Sequence, residues 1–176
     1  MIKVAFVFIF LLACILGFIK ESQQENTQTI ETIATVDITQ EPYKPKESEY
    51  FKGRLKGQEV LFNKLQIKYN VNKWLILAIC LHESANGTSN LISSRNNPAG
   101  ILNDSYTDFR KFSTLEEGIE RTFYIIRNYY MDEGLTTIKQ IGSKYCPAGD
   151  TSDKTNINKY WVPSVSKLYE EMKKNG

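Results

Sequence analysis

The sequence is poorest in histidine, and His82 is the only one among its 176 residues. His82 precedes Glu83, but a zinc-binding His-Glu-x-x-His motif would need a second histidine where the chain has Asn86. This excludes a zinc protease, and no credible base is available for a serine or cysteine hydrolase. The chain also has no glycine-rich phosphate loop and no stripe of basic and aromatic residues. We therefore expect no metal, no cofactor and no nucleic acid partner.

Cysteine is also scarce, with Cys14, Cys80 and Cys146 at spacings that fit no metal site. Cys80 and His82 lie two apart on a predicted helix and so point to different sides, which argues against a Cys-His nucleophile. Cys80 and Cys146 could approach each other near Glu83. Two buried free thiols are the favoured interpretation, and a disulfide remains open.

The N-terminal part of the chain differs in composition from the rest. Residues 4–19 form an unbroken apolar run after Lys3, which indicates an export signal. The run is marginal for crossing a bilayer core of about 30 Å, so an uncleaved anchor, a cleaved signal and lipidation at Cys14 all remain open. Residues 20–49 are rich in Gln, Thr and Glu and predict a disordered tether. The predicted organisation is a signal peptide or membrane anchor (1–19), a linker (20–49) and one folded domain (50–176).

The folded domain carries the basic excess of the chain. The whole sequence has 22 Lys and Arg against 20 Asp and Glu, and residues 1–49 hold more acidic than basic residues. A mildly basic domain suits an anionic polymer such as cell wall, although many unrelated domains share this property.

Apolar periodicity in residues 50–176 predicts a mainly α domain with at most a small β-hairpin lobe. Helices are predicted over 57–70, from the Asn72 cap to the Asn86-Gly87 stop, and from a capping box at Ser113 and Glu116 to about Met131. Thr136 should cap a further helix through Ile138, Ile141 and Tyr145. A last helix includes Trp161, Val165, Leu168 and Tyr169. Residues 101–112 predict the hairpin or an irregular lobe.

Glu83 is the one carboxylate at the end of a long apolar helix. Trp74, Leu77 and Leu81 share one face of this helix, and Asn86-Gly87 should stop it. Apolar neighbours and the negative end of the helix dipole both disfavour the charged carboxylate, so the pKa of Glu83 should be raised. A carboxyl that stays protonated near neutral pH suits a general acid. The alternative is an ordinary, partly exposed residue at a helix end.

Two motifs around Glu83 resemble those of the bacterial glucosaminidase family of lysozyme-like peptidoglycan hydrolases. The first is Glu83-Ser84-Ala85-Asn86-Gly87-Thr88-Ser89, and the second is Asn96-Asn97-Pro98-Ala99-Gly100-Ile101. The resemblance runs from about residue 71 to the end of the chain. It includes Phe112 with Glu116-Glu117-Gly118-Ile119, Gly134-Leu135-Thr136-Thr137-Ile138, Tyr145-Cys146-Pro147 and Asn158-Lys159-Tyr160-Trp161-Val162.

The resemblance implies a lysozyme-like helical fold and cleavage of β-1,4 bonds in peptidoglycan, generally on the N-acetylglucosaminyl side. It implies Glu83 as the acid, Tyr145 as a cleft tyrosine and Asn97 as a residue that shapes the sugar site. We also predict Ser84 and Tyr106 as substrate-binding residues.

The chain departs from the family in its short lobe, which has no glutamate where members often carry a second acidic residue. Asp104 and Asp108 are the candidates for a second carboxylate, and each could instead be a solvated turn residue. Assistance by the acetamido group of the substrate is the alternative.

Two other functions remain open. A lytic transglycosylase or muramidase also uses one glutamate on this fold, and a membrane-tethered module could bind the wall without catalysis. We expect a monomer whose partners are peptidoglycan glycan strands and, through residues 1–19, the membrane. It should be exported, either anchored at the membrane and facing the wall or secreted.

Overall fold

The computed structural model describes residues 47–151 and 153–175, which are largely helical. The α-helices are α1 (Glu59–Tyr69), α2 (Lys73–Glu83), α3 (Asn90–Arg95), α4 (Leu115–Tyr129), α5 (Ile138–Tyr145) and α6 (Trp161–Asn175). Short 3-10 helices cover Glu47–Tyr50, Gly53–Leu55, Met131–Glu133 and Asn158–Tyr160. In these ranges the β structure is one antiparallel bridge between Leu102 and Phe109. The predicted mainly α fold with a minimal β lobe is confirmed.

Predictions for the N-terminal part fall mostly outside the described residues. These include the apolar helix at 1–19 and most of the tether. No helix in the described ranges is both long and apolar enough to span a membrane.

Helix α2 lies at the centre of the core. The Asn72 side chain accepts a hydrogen bond from Trp74 N at 2.8 Å and caps the helix as predicted. Every residue from Lys73 to Leu81 is buried, and the helix packs against α1, α4 and α6. Burial on all sides follows from the apolar side chains that surround the helix axis.

The helix ends at Glu83, earlier than the Asn86-Gly87 stop that the sequence predicts. The Ser84 hydroxyl donates to Cys80 O at 2.5 Å and accepts from Gly87 N at 2.9 Å, so it closes the last turn. Gly87 has φ +78°, the left-handed conformation that was expected of it.

The predicted capping box of α4 is wrong by one residue. Thr114, rather than Ser113, accepts the hydrogen bond of the cap, from Glu117 N at 3.2 Å. The Glu117 carboxylate in turn accepts from Ser113 N at 2.9 Å. Adjacent Ser-Thr and Glu-Glu pairs give the same spacing in two registers, and the structure adopts the second.

Residues 47–55 form an N-terminal strap that contacts both ends of α2. At one end Glu47 forms a buried ion pair with Lys73, whose Nζ also donates to Asn63 Oδ1 at 2.7 Å. At the other end Arg54 N donates to Gly87 O at 3.0 Å. The strap begins three residues inside the span predicted as linker.

Candidate active site

Glu83 is the last residue of α2 and lies among buried apolar groups while remaining partly exposed. Its Oε1 accepts a hydrogen bond from Trp161 Nε1 at 2.9 Å. Burial raises the pKa of Glu83 to about 8, and the donation from Trp161 lowers it in part. The direction agrees with the sequence prediction. The carboxyl is therefore protonated at neutral pH and can act as a proton donor.

The other titratable groups around Glu83 are neutral near neutral pH. Burial raises the pKa of the Cys80 and Cys146 thiols and holds the pKa of Tyr145 well above its usual value. Burial lowers the pKa of His82 to about 4. His82 lies edge-on to Trp161, with ring centroids 6.5 Å apart. Glu83 is thus surrounded by uncharged groups, which disfavours its ionised form.

Cys80 and Cys146 are both free and buried, as the favoured interpretation expected. Among the described residues, no group of three or more His, Cys, Asp or Glu side chains could hold a metal ion.

Asn97 and Tyr145 support the loop that follows α3. Asn97 is fully buried, and its Oδ1 accepts a hydrogen bond from Ile101 N at 2.9 Å. Its Nδ2 donates to Ile101 O at 2.8 Å and to Arg110 O at 2.9 Å. The Tyr145 hydroxyl donates to Ala99 O at 3.1 Å. Its ring lies 5.0 Å from that of Trp161. The structure therefore shows both residues holding this loop, and their roles as a residue that shapes the sugar site and as a cleft tyrosine stay predictions.

Ser84 and Tyr106 occupy opposite environments. Ser84 is buried and its hydroxyl closes the α2 turn, so it stabilises the backbone that carries Glu83. Tyr106 is 39% exposed at the lobe, in a left-handed conformation with φ +57°. An exposed aromatic ring can stack on a sugar. Substrate binding by either residue stays a prediction.

Asp104 and Asp108 are exposed on the lobe and paired with arginines. Asp104 forms an ion pair with Arg110, and Asp108 with Arg95 at 2.8 Å. The hydrogen bond from Arg95 holds the pKa of Asp108 below its usual range. Each carboxylate therefore has an arginine partner on the lobe, and the role of either one as a second catalytic carboxylate stays a prediction.

Trp161 and Arg54 are the residues that the sequence interpretation missed. Trp161 was predicted only as a residue of the last helix, although it stands in one of the runs that carry the family resemblance. Arg54 donates to Ser93 O at 2.9 Å and to Asn96 Oδ1 at 3.2 Å, and so joins the strap to α3. No signal in the sequence marks Arg54, because its partners lie about forty residues further along the chain.

Comparison with known proteins agrees with the resemblance drawn from the sequence. The Glucosaminidase family model, described as mannosyl-glycoprotein endo-beta-N-acetylglucosaminidase, matches residues 60–174. No curated protein sequence matches the chain.

Three solved structures of S. aureus autolysin E are similar to the chain. The complex with the muropeptide NAM-L-ALA-D-iGLU has 21% identity and a TM-score of 0.63. The match covers 84% of this chain and 77% of the autolysin E chain. Autolysin E itself has 20% identity and a TM-score of 0.62, with the same coverages of 84% and 77%. A catalytic mutant in complex with the disaccharide NAG-NAM has 21% identity and a TM-score of 0.61, with coverages of 84% and 78%. At this identity the likeness shows the fold, and the predicted lysozyme-like fold is confirmed.

Proposed function

Because the chain belongs to the glucosaminidase family and is a glycoside hydrolase, we propose that it cleaves the β-1,4 glycosidic bonds of peptidoglycan. We propose further that it is an endo-β-N-acetylglucosaminidase with Glu83 as general acid. Peptidoglycan is supported by the similar autolysin E structures, which hold a muropeptide and the disaccharide NAG-NAM.

The observation that carries this proposal is the placement of the Glu83 carboxyl, which lies at the end of the buried helix α2, accepts a hydrogen bond from Trp161 and remains partly exposed. Glycosidic cleavage needs an acid that protonates the leaving oxygen while its bond to the sugar carbon breaks and the electron pair passes to that oxygen. A carboxyl with a pKa of about 8 holds its proton at neutral pH and can give it up in this step. Glu83 also remains partly exposed, so a glycan strand can reach it.

Support at the sugar carbon comes, in this proposal, from the acetamido group of the substrate. Asp104 and Asp108 are the alternative, but both are exposed and paired with arginine. Attack by the acetamido oxygen on the sugar carbon displaces the leaving oxygen, which takes the proton of Glu83, and gives a cyclic intermediate. Water then attacks the same carbon, breaks its bond to the acetamido oxygen and returns a proton to the Glu83 carboxylate.

The cellular setting is part of the proposal. A wall hydrolase acts outside the membrane, so the chain is exported, and the apolar run at residues 4–19 supplies the export signal. Whether residues 1–19 anchor the chain or are removed decides between a membrane-bound and a secreted enzyme. We also propose that the enzyme is a monomer, an arrangement in which the hydrogen-bonded pair of Glu83 and Trp161 forms within one chain.

Digestion of purified peptidoglycan by the wild type and by Glu83→Gln, with mass analysis of the released ends, tests the proposal. Reducing N-acetylglucosamine ends from the wild type alone are expected. Glu49→Gln, which changes an exposed glutamate, should digest like the wild type.

Other products would identify the alternatives. Reducing N-acetylmuramic ends would indicate a muramidase, and anhydro ends a lytic transglycosylase. Wall binding without release of ends by either form would indicate a tethered binding module.

A further inference from the structure

The hydrogen bond between Trp161 Nε1 and Glu83 Oε1 joins the first residue of α6 to the last residue of α2. We propose that Trp161 is a positioning residue whose indole N–H fixes Oε1 as the acceptor, so that the acidic proton is carried by Oε2. This inference rests on the proposed role of Glu83 as general acid. Beyond that role, the inference identifies Oε2 as the carboxyl oxygen that delivers the proton and Trp161 as the side chain that determines this choice.

The chemistry of the indole nitrogen determines which atom donates the hydrogen bond and which atom accepts it. Trp Nε1–H is a donor only, so the oxygen that it faces must present a lone pair. In a protonated carboxyl the carbonyl oxygen is the better acceptor, and the proton is therefore favoured on the other oxygen. No described residue forms a hydrogen bond with Oε2, and Glu83 is partly exposed. Oε2 is thus the oxygen available to a glycosidic oxygen.

Trp161 is itself held by close packing. Its side chain is 1% exposed and lies against Tyr145, whose hydroxyl is bonded to Ala99 O. Gly142 of α5 permits this packing, since a Cβ there would lie 3.0 Å from Trp161 Cε3 and closer still to Val162 Cγ2. A side chain that is fixed in this way can hold its bonding partner in one orientation.

Among the described titratable groups packed around Glu83, only Glu83 itself has a pKa between 5 and 9. Cys80 on α2, Tyr145 and Cys146 at the end of α5, and Tyr130 after α4 all have raised pKa values because they are buried. His82 on α2 has a pKa lowered to about 4 by burial. A change in Trp161 within this pH range therefore reports the ionisation of Glu83.

A fluorescence titration tests the bond without any need for catalysis. The chain has two tryptophans, so Trp74→Phe in the full-length protein leaves Trp161 as the sole indole. Its emission should change with a midpoint near pH 8, where Glu83 ionises. In the double variant Trp74→Phe, Glu83→Gln this transition should be absent. Emission that does not depend on Glu83 would overturn the proposal.

The pH profile of glycan cleavage tests the positioning role. Trp161→Phe keeps an aromatic ring but removes the N–H, and kcat should fall about tenfold or more because the proton is no longer directed. Loss of a donor to the carboxylate also raises the pKa of Glu83, so the alkaline limb should move up by about one pH unit. KM should change little.

Trp74→Phe is the matched control, since Trp74 is a buried tryptophan of α2 that packs on Tyr50. It should leave the alkaline limb in place. A Trp161→Phe profile with an unmoved limb would overturn the positioning role alone, since a merely structural loss lowers activity without that shift. Absence of cleavage by the wild type would overturn the proposed function together with the positioning role.

Discussion

Burial and one hydrogen bond act on the Glu83 carboxyl in opposite directions. Burial among neutral groups favours the protonated form, and the indole N–H of Trp161 favours the carboxylate. Burial dominates, and the pKa rises from 4.5 to about 8. A group whose pKa rises on folding destabilises the folded state at high pH, because the unfolded chain ionises first.

Replacement of Glu83 by Gln should therefore stabilise the protein at alkaline pH. The advantage should be absent near pH 4.5, grow as the pH rises to about 8 and then stay constant. We expect about 3 kcal/mol at pH 9, which allows for the partial exposure of the side chain. Denaturant unfolding at pH 5, 7 and 9 measures this difference. Equal stability of the two proteins at pH 9 would contradict the raised pKa.

Asp104 and Asp108 are exposed and paired with arginines, unlike Glu83, and they are the candidates for a second catalytic carboxylate. If the acetamido group of the substrate assists cleavage, Asp104→Asn and Asp108→Asn should each keep most of the activity. The expected loss is less than about threefold, because each variant removes one exposed ion pair on the lobe. Release of reducing ends measures it. A loss as large as that of Glu83→Gln would make that aspartate the second catalytic group.

At the scale of elements, two glycines let the strap pass against the turn after α2. A Cβ on Gly87 would lie closer to Lys52 O than van der Waals contact allows, and a Cβ on Gly53 would clash with Gly87 O. Arg54 N bonds Gly87 O at this crossing. Backbone contact between the strap and the turn therefore fixes the segment that follows Glu83.

Gly87→Ala should destabilise the protein by about 3 kcal/mol or more, since it adds a steric clash to an unfavourable φ. Gly134→Ala is the matched control, because Gly134 has φ +84° and no atoms within 4 Å of an added Cβ. Its cost should be about 1–2 kcal/mol, from the left-handed backbone alone. Urea unfolding compares the two variants. Equal losses of stability in the two variants would show that the strap moves to accommodate the added Cβ at no cost in free energy.

At the scale of the whole molecule, the folded unit extends beyond the region that defines the family. The family match begins at residue 60, whereas the strap begins at residue 47 and contacts both ends of α2. Lys73 has a side chain that is 1% exposed, and Glu47 is its ion-pair partner. Loss of one member of a buried ion pair leaves a buried charge without its counterion.

A fragment of residues 50–176 should accordingly be less stable than a fragment of residues 47–176. We expect a difference of about 3 kcal/mol, the usual effect of breaking a buried pair. Glu47→Gln in the full-length chain should reproduce much of this loss, and Glu49→Gln, which changes an exposed side chain, should not. Thermal unfolding of the four proteins measures the effect. Equal stability of the two fragments would place residues 47–49 outside the folded unit.

The sequence by itself determined five of the six α-helices, among them the core helix that carries Glu83, and it determined the family. Local signals sufficed for these features: apolar side chains around a helix axis, the Asn72 cap and the glycine after the turn act over a few residues. The motif around Glu83 and the motif around Asn97 were sufficient to identify the family. Both lie within twenty residues of each other, so their order and spacing could be read directly.

Only the tertiary structure decided which groups meet at the site. The bond from Trp161 to Glu83 joins positions 78 residues apart, and the bond from Tyr145 to Ala99 joins positions 46 apart. Neither pairing leaves a local signal, because any of several aromatic residues could have packed on α2. The α4 cap likewise adopts one of two registers that the local sequence does not distinguish. Contacts between distant segments depend on how the helices pack, and helical periodicity fixes only the face that each one buries.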